Sequence, residues 1–317
     1  MNAVEECVDG CTLAPAEVSG REQVKVDRDS RITLSVILAV AVTLTMWASA
    51  FSAIRASLSA YGPAHLALLR FLIASVVLAC AGAVRGMRWP RRQDWAVIVV
   101  AGLLGVTVYQ ISLNYAEVTI SAGAACLLVN TAPIFVAVLA TIFLKERFGV
   151  RGWVGSAISF GGIVLIAVGE EGGLSFGSRA PFILLCAVAA AIYTTVQKRM
   201  LSSLRYTAQE YATLTIWAGT ALMLPFAGGL WDAILAAPMK ATASVLYLGI
   251  FPGAIAASLW GFVISRMPAS RASNLLYLAP ALAFTIAWVW LGEKPTTLAV
   301  AGGALVVAGV VVVNARR

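Results

Sequence analysis

The chain has 317 residues, 60% of them hydrophobic, and its mean hydropathy is +0.88. This composition excludes an ordinary soluble domain. It also leaves no soluble basic domain to bind nucleic acid, although the formal net charge is +8. We therefore expect an integral membrane protein that carries its positive charge in loops and contacts the lipid bilayer.

Residues 1–30 mix acidic, basic and small residues without periodicity, which predicts a disordered cytoplasmic tail. The tail has no apolar stretch of the kind that a cleavable secretory signal requires. Its two cysteines, Cys7 and Cys11, are far from His65, the only histidine of the chain. Because this spacing is not typical of a metal site, we predict neither a metal nor another cofactor.

Ten apolar stretches follow the tail, and each approaches the roughly 20 residues that a helix needs to cross a bilayer. Alternating strand patterns are absent, so the predicted fold class is an all-α integral membrane protein with ten transmembrane helices. The predicted spans are 32–54, 64–84, 94–114, 119–143, 150–168, 180–197, 208–226, 242–265, 271–291 and 297–313. Before the seventh span, Thr207 and Glu210 have the spacing of a capping box.

Positive charges alternate from one loop to the next. Of the 23 Lys and Arg residues, 18 fall in the two termini and the even-numbered loops. The other five are Arg55, Arg70, Arg179, Lys240 and Lys294. By the positive-inside rule, both termini are cytoplasmic in a protein of the inner (plasma) membrane.

The later half of the chain repeats the earlier half at an offset of 147 residues. Pro133 and Pro280, and Glu146 and Glu293, are the most informative pairs, because each proline precedes its glutamate by 13 residues. Spans one to five, in residues 31–168, are therefore predicted to be related to spans six to ten, in residues 169–317. Five is odd, so the second unit enters the membrane from the opposite side, as in many secondary transporters.

Short motifs run along the first unit, and one of them recurs in the second. They are Trp47-Ala-Ser-Ala-Phe51, Leu69-Arg70-Phe71, Ser121-Ala-Gly-Ala-Ala, Pro133 with Leu144-Lys-Glu146, and Leu291-Gly-Glu293-Lys-Pro. Together they make the chain resemble the EamA-type permeases of the drug/metabolite transporter superfamily over nearly everything after residue 30. The resemblance implies a permease that exports small metabolites, amino acids among them. It names no substrate.

Arg70 is the only cation that lies away from the ends of a predicted span, about 10 Å from the outer end at 1.5 Å per residue. A charge at this depth typically faces a cavity or a partner, and here it is a candidate for binding a carboxylate. The alternative is that Arg70 snorkels toward the headgroups. No Asp or Glu lies in the middle of a predicted span, so we expect a neutral, zwitterionic or anionic substrate, with amino acids and related zwitterions preferred.

Polar and aromatic residues at helical spacing are candidates for lining a substrate cavity at mid-membrane, with interhelical hydrogen bonding and core packing as the alternatives. The substrate-binding set is Trp47, Arg70, Tyr109, Gln110, Asn114, Asn130, Tyr193, Trp217, Trp260, Asn274 and Tyr277. Asn130 and Tyr277 are equivalent in the repeat. Pro133 and Pro280 are candidate gating residues, because a proline interrupts helix hydrogen bonding; a static bend is the alternative.

Spans five and ten carry small residues at repeat-equivalent positions, Ala157 and Gly161, and Ala304 and Ala308. This pattern favours close helix packing and suggests a face for a homo-oligomer. An enzyme is not expected, since the spans hold no set of groups for catalysis. The alternatives that stay open are an exporter of another neutral or anionic metabolite or drug-like compound, and a receptor or scaffold that transports nothing.

Overall fold

The computed structural model describes residues 33–118, 128–169, 180–203, 205–282 and 296–315. In these ranges the chain is helical apart from short connections, and it forms no strand. Five of the described helices are individually long and apolar enough to cross a bilayer, and three shorter helices are also apolar. The all-α membrane class is therefore confirmed, while the count of ten spans stays a prediction. The predicted tail lies outside the described ranges.

Helices are numbered by the predicted span to which each belongs. The earlier helices are α1 Leu34–Leu58, α2 Pro63–Arg85, α3 Arg92–Glu117, α4 Ala132–Phe143 and α5 Val150–Gly169. The later helices are α6 Ala180–Ser202, α7 Ala208–Met223, α8 Met239–Arg266, α9 Ala269–Asn274 and α10 Thr297–Asn314. The sequence did not predict a further short helix, Leu230–Ala236. It bends by 84° away from α7 and its 3-10 extension Leu224–Ala227.

The capping box at the start of α7 is confirmed. Thr207 Oγ1 accepts a hydrogen bond from the backbone N–H of Glu210 at 3.2 Å, and Glu210 Oε2 accepts one from the N–H of Thr207 at 2.7 Å. Glu210 Oε1 also accepts from the N–H of Arg88 at 3.0 Å. One carboxylate therefore ties the start of α7 to the connection between α2 and α3.

The connections after α2 and α6 meet at one end of the molecule, which we call the cationic end. Arg205 pairs with Asp94 at 3.3 Å, and Tyr206 Oη donates to the same carboxylate at 2.8 Å. Burial first, and then this hydrogen bond, raise the pKa of Tyr206. Polar contacts here link connections that lie far apart in the chain.

The sequence count placed Lys198 in a loop, and the structure shows that this was wrong. The structure buries it in α6, where its Nζ donates to the carbonyl oxygens of Ile264 at 2.8 Å and Met267 at 2.7 Å. These carbonyls end α8, so the ammonium group satisfies acceptors that a helix C-terminus leaves open. A count of charges between apolar stretches does not reveal this placement.

α5 and α10 pack against each other through glycines that the repeat relates. A Cβ built on Gly155 would lie 2.7 Å from the carbonyl oxygen of Gly309, and one on Gly162 would lie 2.6 Å from that of Gly302. At the offset of 147, Gly155 corresponds to Gly302 and Gly162 corresponds to Gly309, so the repeat exchanges the two contact pairs. The helices therefore run antiparallel about a local two-fold axis, as an inverted repeat requires.

The small residues that we predicted for close packing lie on the other side of these two helices. Ala157, Gly161, Ala304 and Ala308 are exposed, and a Cβ built on Gly161 would have no atom within 4 Å. Within the chain, α5 and α10 make their contact through four buried glycines instead of through these small residues. An oligomer face along the exposed stripe stays a hypothesis.

Helix irregularities also recur at matching positions. α3 contains a π-helical segment at Leu103–Val108, and α8 contains one at Gly249–Ile255, which corresponds to 102–108 at the same offset. Pro252 lies inside the second segment. Such segments are often found at functional sites, because they leave backbone groups without regular helical partners.

The chain is also irregular just before each of the two predicted gating prolines. Asn130 and Thr131 form a turn ahead of Pro133, which is the second residue of α4. A 3-10 turn, Leu275–Tyr277, precedes Pro280. A proline cannot donate to the carbonyl four residues earlier, so each helix is interrupted at that point.

Candidate functional site

The helices enclose a cavity of about 220 Å³ beside these irregular segments. Side chains from α1, α2, α3, α6, α7 and α8 line it, together with the segments around Pro133 and Leu276. The cavity is therefore bordered by the proline-interrupted and π-helical stretches, in which the backbone has lost its regular helical hydrogen bonds. The repeat predicts a substrate site between its two units, beside interrupted helices such as these.

The cavity lining follows the repeat. Eight pairs of lining residues are separated by the offset of 147: Trp47 and Thr194, Ala50 and Gln197, Gly105 and Pro252, Val106 and Gly253, Gln110 and Ala257, Leu113 and Trp260, Val129 and Leu276, and Ala132 and Ala279. Both units therefore contribute equivalent positions. The side chains differ in seven of the eight pairs, so the repeat relates the positions that line the cavity but not their chemistry.

Arg70 lines the cavity and is only 6% exposed. Its Cζ lies 5.4 Å from the centroid of the Phe71 ring. Its Nε has no hydrogen-bond partner among the described residues. A buried guanidinium N–H without an acceptor is costly, so this donor favours binding of an anionic group or a water molecule. Among the described lining residues it is the only formal charge at neutral pH.

Two amides supply further polar atoms at the cavity. Gln110 Nε2 and Gln197 Oε1 are buried and lack hydrogen-bond partners within the described ranges. Gly105 in α3 contacts the ring of Tyr193 in α6, and these helices run antiparallel. Gln110 and Gln197 therefore lie about 13 Å apart along the helix axes, at about 1.5 Å per residue. The cavity has separate polar groups toward its two ends.

Aromatic side chains also line the cavity. The rings of Trp47 and Trp260 are 5.4 Å apart, and Trp47 Nε1 donates to the carbonyl oxygen of Pro252 at 3.3 Å. Tyr193 Oη lies 3.4 Å from the hydroxyl of Thr215. Gly105 leaves room for the Tyr193 ring, since a Cβ there would overlap it. Much of the cavity wall is therefore apolar and aromatic.

The structure brings together seven of the eleven predicted substrate-binding residues. Trp47, Arg70, Tyr109, Gln110, Asn130, Tyr193 and Trp260 line the cavity, as does Pro133 of the gating pair. Pro280 is not in the lining, although its neighbour Ala279 is. Proximity to the cavity does not by itself establish binding or gating, so these roles stay predictions.

The other four residues of that set do not line the cavity. Asn114 Nδ2 donates to the carbonyl oxygen of Pro63 at 3.0 Å, and Trp217 Nε1 donates to that of Ser75 at 3.1 Å. Asn274 Oδ1 accepts a hydrogen bond from Ser156 Oγ at 2.9 Å. We assign structural roles to these side chains, because their polar atoms join helices to one another.

Tyr277 is fully buried between α5 and α10, beside Ile163 and Val306, and so does not face Asn130 across the cavity. The expectation that both residues face the cavity was wrong. The repeat equates backbone positions, but the tyrosine side chain packs into a different cluster.

Sequence reasoning missed Glu117, Gln197 and Pro252. Glu117 ends α3 three residues beyond the predicted boundary, and Gln197 was the final residue of its predicted span. Pro252 had a usable signal, because a proline inside an apolar span marks a helix interruption. Glu293 and the Ser121–Ala125 motif lie outside the described residues.

Comparison with known proteins gives consistent matches. A profile of the EamA-like transporter family matches the chain twice, at residues 34–168 and 178–315. A protein described as a probable terminal-alkyne amino-acid exporter, from Streptantibioticus cattleyicolor, is 41% identical over 280 residues, 88% of this chain and 93% of that protein. An uncharacterized transporter of Bacillus subtilis, YdfC, is 42% identical over 278 residues, 88% of this chain and 90% of that protein.

A solved structure is also similar. It shares 24% sequence identity, superposes with a TM-score of 0.72, and the match covers 88% of this chain and 96% of that one. At this identity the likeness concerns the fold alone.

Proposed function

Because this chain belongs to the EamA-like transporter family, it is a membrane transporter and not an enzyme, and we propose that it exports small zwitterionic metabolites, with amino acids preferred. The observation that carries the proposal is the buried guanidinium of Arg70 beside a cavity whose described lining holds no acidic side chain. The exporter named for an amino acid, at 41% identity, supports the same substrate class.

In the proposed complex, the substrate carboxylate binds Arg70, with the amide of Gln110 as a second donor. Hydrogen bonds between a guanidinium and a carboxylate are charge-assisted and stronger than neutral ones. The substrate side chain then lies against Trp47 and Trp260, since apolar and aromatic walls bind the apolar parts of small ligands. An isolated cation without a zwitterionic partner is disfavoured, because Arg70 repels it.

The proposed transport mechanism is alternating access between the two units of the repeat. Interruptions at Pro133, Pro252 and Pro280 leave segments beside the cavity that bend at low cost, because regular helical pairing is already lost there. The glycine contact between α5 and α10 lies away from the cavity and serves as a fixed contact. With the cationic end in the cytoplasm of an inner-membrane protein, the units exchange conformations to open the cavity to either side.

Proteoliposomes test this proposal. Vesicles containing the purified protein are loaded with labelled amino acids of different side-chain sizes, and efflux is measured with and without an imposed pH gradient. We expect saturable flux for at least one amino acid, loss of that flux in Arg70→Met, and normal flux in Lys240→Met. Lys240 is the matched control, because it is an exposed cation at the start of α8.

Two results contradict parts of the proposal. Flux of carboxylate anions without an ammonium group, and of no amino acid, overturns the substrate class but retains Arg70. Equal amino-acid flux in Arg70→Met and the native protein overturns the role of Arg70.

A further inference from the structure

Glu117 is a half-buried acid that the proposed function does not use. It is the last residue of α3, and its Oε1 is buried without a hydrogen-bond partner among the described residues. Gln110 and Asn114 lie two turns and one turn earlier on the same helix face. Gln110 lines the cavity and Asn114 donates to the first residue of α2. This face of α3 therefore looks toward the cavity and toward α2.

Arg70 lies on α2, which packs against this part of α3. Consecutive helices joined by the short connection 86–91 run antiparallel, and helical side chains lean toward the N-terminus of their own helix. The Arg70 and Glu117 side chains therefore lean toward each other. The guanidinium groups of Arg70 and of Arg55, in the last turn of α1, interact electrostatically with the carboxylate.

Among the described helices in contact with this part of α3, α6 contributes the titratable Cys186, whose thiol donates to Tyr109 O and to Phe182 O. Arg55 is exposed, whereas Arg70 is buried. Arg70 is thus the cation that is shielded from solvent and shared between Glu117 and the cavity.

We propose that Glu117 is a proton-binding site linked to the substrate site through Arg70. The inference rests on the proposed function in one respect, which is that the substrate presents a carboxylate to Arg70. One buried guanidinium then serves two carboxylates. When the substrate carboxylate binds, it neutralises the positive charge that favours the ionised form of Glu117, and a buried carboxyl group without a cation favours its neutral form.

In the pH range where Glu117 is ionised in the substrate-free protein, substrate binding is therefore accompanied by uptake of a proton from solution, which adds to a Glu117 carboxylate oxygen. Linkage is reciprocal, so lowering the pH tightens substrate binding by the same factor by which substrate favours protonation. The linkage fixes how tightly the substrate is held at each pH. It does not depend on the direction of net transport.

The first test needs no substrate. Infrared spectroscopy of the purified protein follows the carbonyl band of protonated carboxylic acids across pH, and the band missing in Glu117→Gln is assigned to Glu117. We expect the protonated form of Glu117 to persist to higher pH in Arg70→Met than in the native protein, and native behaviour in Arg70→Lys. An unchanged fraction in Arg70→Met overturns the linkage, whether or not any substrate binds.

The second test measures proton uptake on binding. Titration calorimetry with a transported amino acid, in two buffers of different ionisation enthalpy, should show proton uptake by the native protein and by Asp232→Asn. Asp232 is the matched control, because it is an exposed carboxylate in the short helix Leu230–Ala236. Glu117→Gln should show none, and should bind at high pH as tightly as the native protein binds at low pH.

The two tests separate the hypotheses. Binding without proton uptake, or uptake that persists in Glu117→Gln, refutes the proton site and leaves the proposed function intact. If no amino acid binds, the proposed function fails, and the infrared titration alone decides whether Arg70 controls Glu117.

Discussion

Glu146 holds the start of α9 in place, and its loss is predicted to destabilise the protein. Its Oε1 accepts a hydrogen bond from the N–H of Ala269 at 2.7 Å. Its Oε2 accepts from the N–H of Ser270 at 3.0 Å and from Ser270 Oγ at 2.6 Å. A negative group at a helix N-terminus satisfies open donors and interacts favourably with the helix dipole.

Glu146→Gln preserves the shape of the side chain and removes its charge. The amide retains one acceptor oxygen, while its NH₂ group meets a backbone N–H that needs an acceptor. Losing one hydrogen bond to a charged group costs about 1.5–3 kcal/mol, and water offsets part of this at a half-buried site. We therefore expect the free energy of unfolding to fall by about 2 kcal/mol, with Glu146→Ala at least as destabilising.

Reversible unfolding in mixed micelles, followed by circular dichroism, measures this change. Asp232→Asn is the control for the loss of an exposed carboxylate and is expected to unfold like the native protein. If Glu146→Gln is as stable as Asp232→Asn, the carboxylate does not fix α9, and the three contacts contribute nothing to stability.

Three further changes are checked by the same unfolding measurement. Gly162→Ala should cost about 1–3 kcal/mol by overpacking against Gly302, whereas Gly161→Ala, which faces open space, should be close to neutral; equal effects would refute the glycine contact. Lys145 has a left-handed φ of 53°. Lys145→Gly should therefore stabilise by about 1 kcal/mol, and a loss of stability would show that this conformation is not strained. Lys198→Met should cost about 2 kcal/mol by leaving buried carbonyls unpaired, and a neutral result would exclude its capping of α8.

Much of the fold follows from hydropathy and from the repeat, because both reflect the demands of lipid on the backbone. α2, predicted at 64–84, spans Pro63–Arg85. The offset read from Pro133 and Pro280 also relates the two π-helical segments and the glycine contacts of α5 and α10. An apolar stretch must be helical in a bilayer, so few alternatives compete with the prediction.

The site was predictable only in part, since helical spacing locates a face but not the partner of each side chain. Gln110 and Asn114 share a face of α3, yet Gln110 lines the cavity while Asn114 reaches the start of α2. Glu117 was overlooked because the apolar stretch ends before the helix does. The short helix Leu230–Ala236 depends on the left-handed Gly229, with φ of 75°, and no hydropathy pattern specifies that turn.

The proposed role of Arg70 is examined most directly by equilibrium binding of an amino acid and of the amine that lacks its carboxylate. A charge-assisted interaction of about 1.5–3 kcal/mol predicts that the native protein binds the amino acid about ten- to a hundredfold more tightly. Arg70→Met should bind the two ligands alike. Equal binding of both by the native protein, or an undiminished preference in Arg70→Met, would contradict recognition of a carboxylate in this cavity.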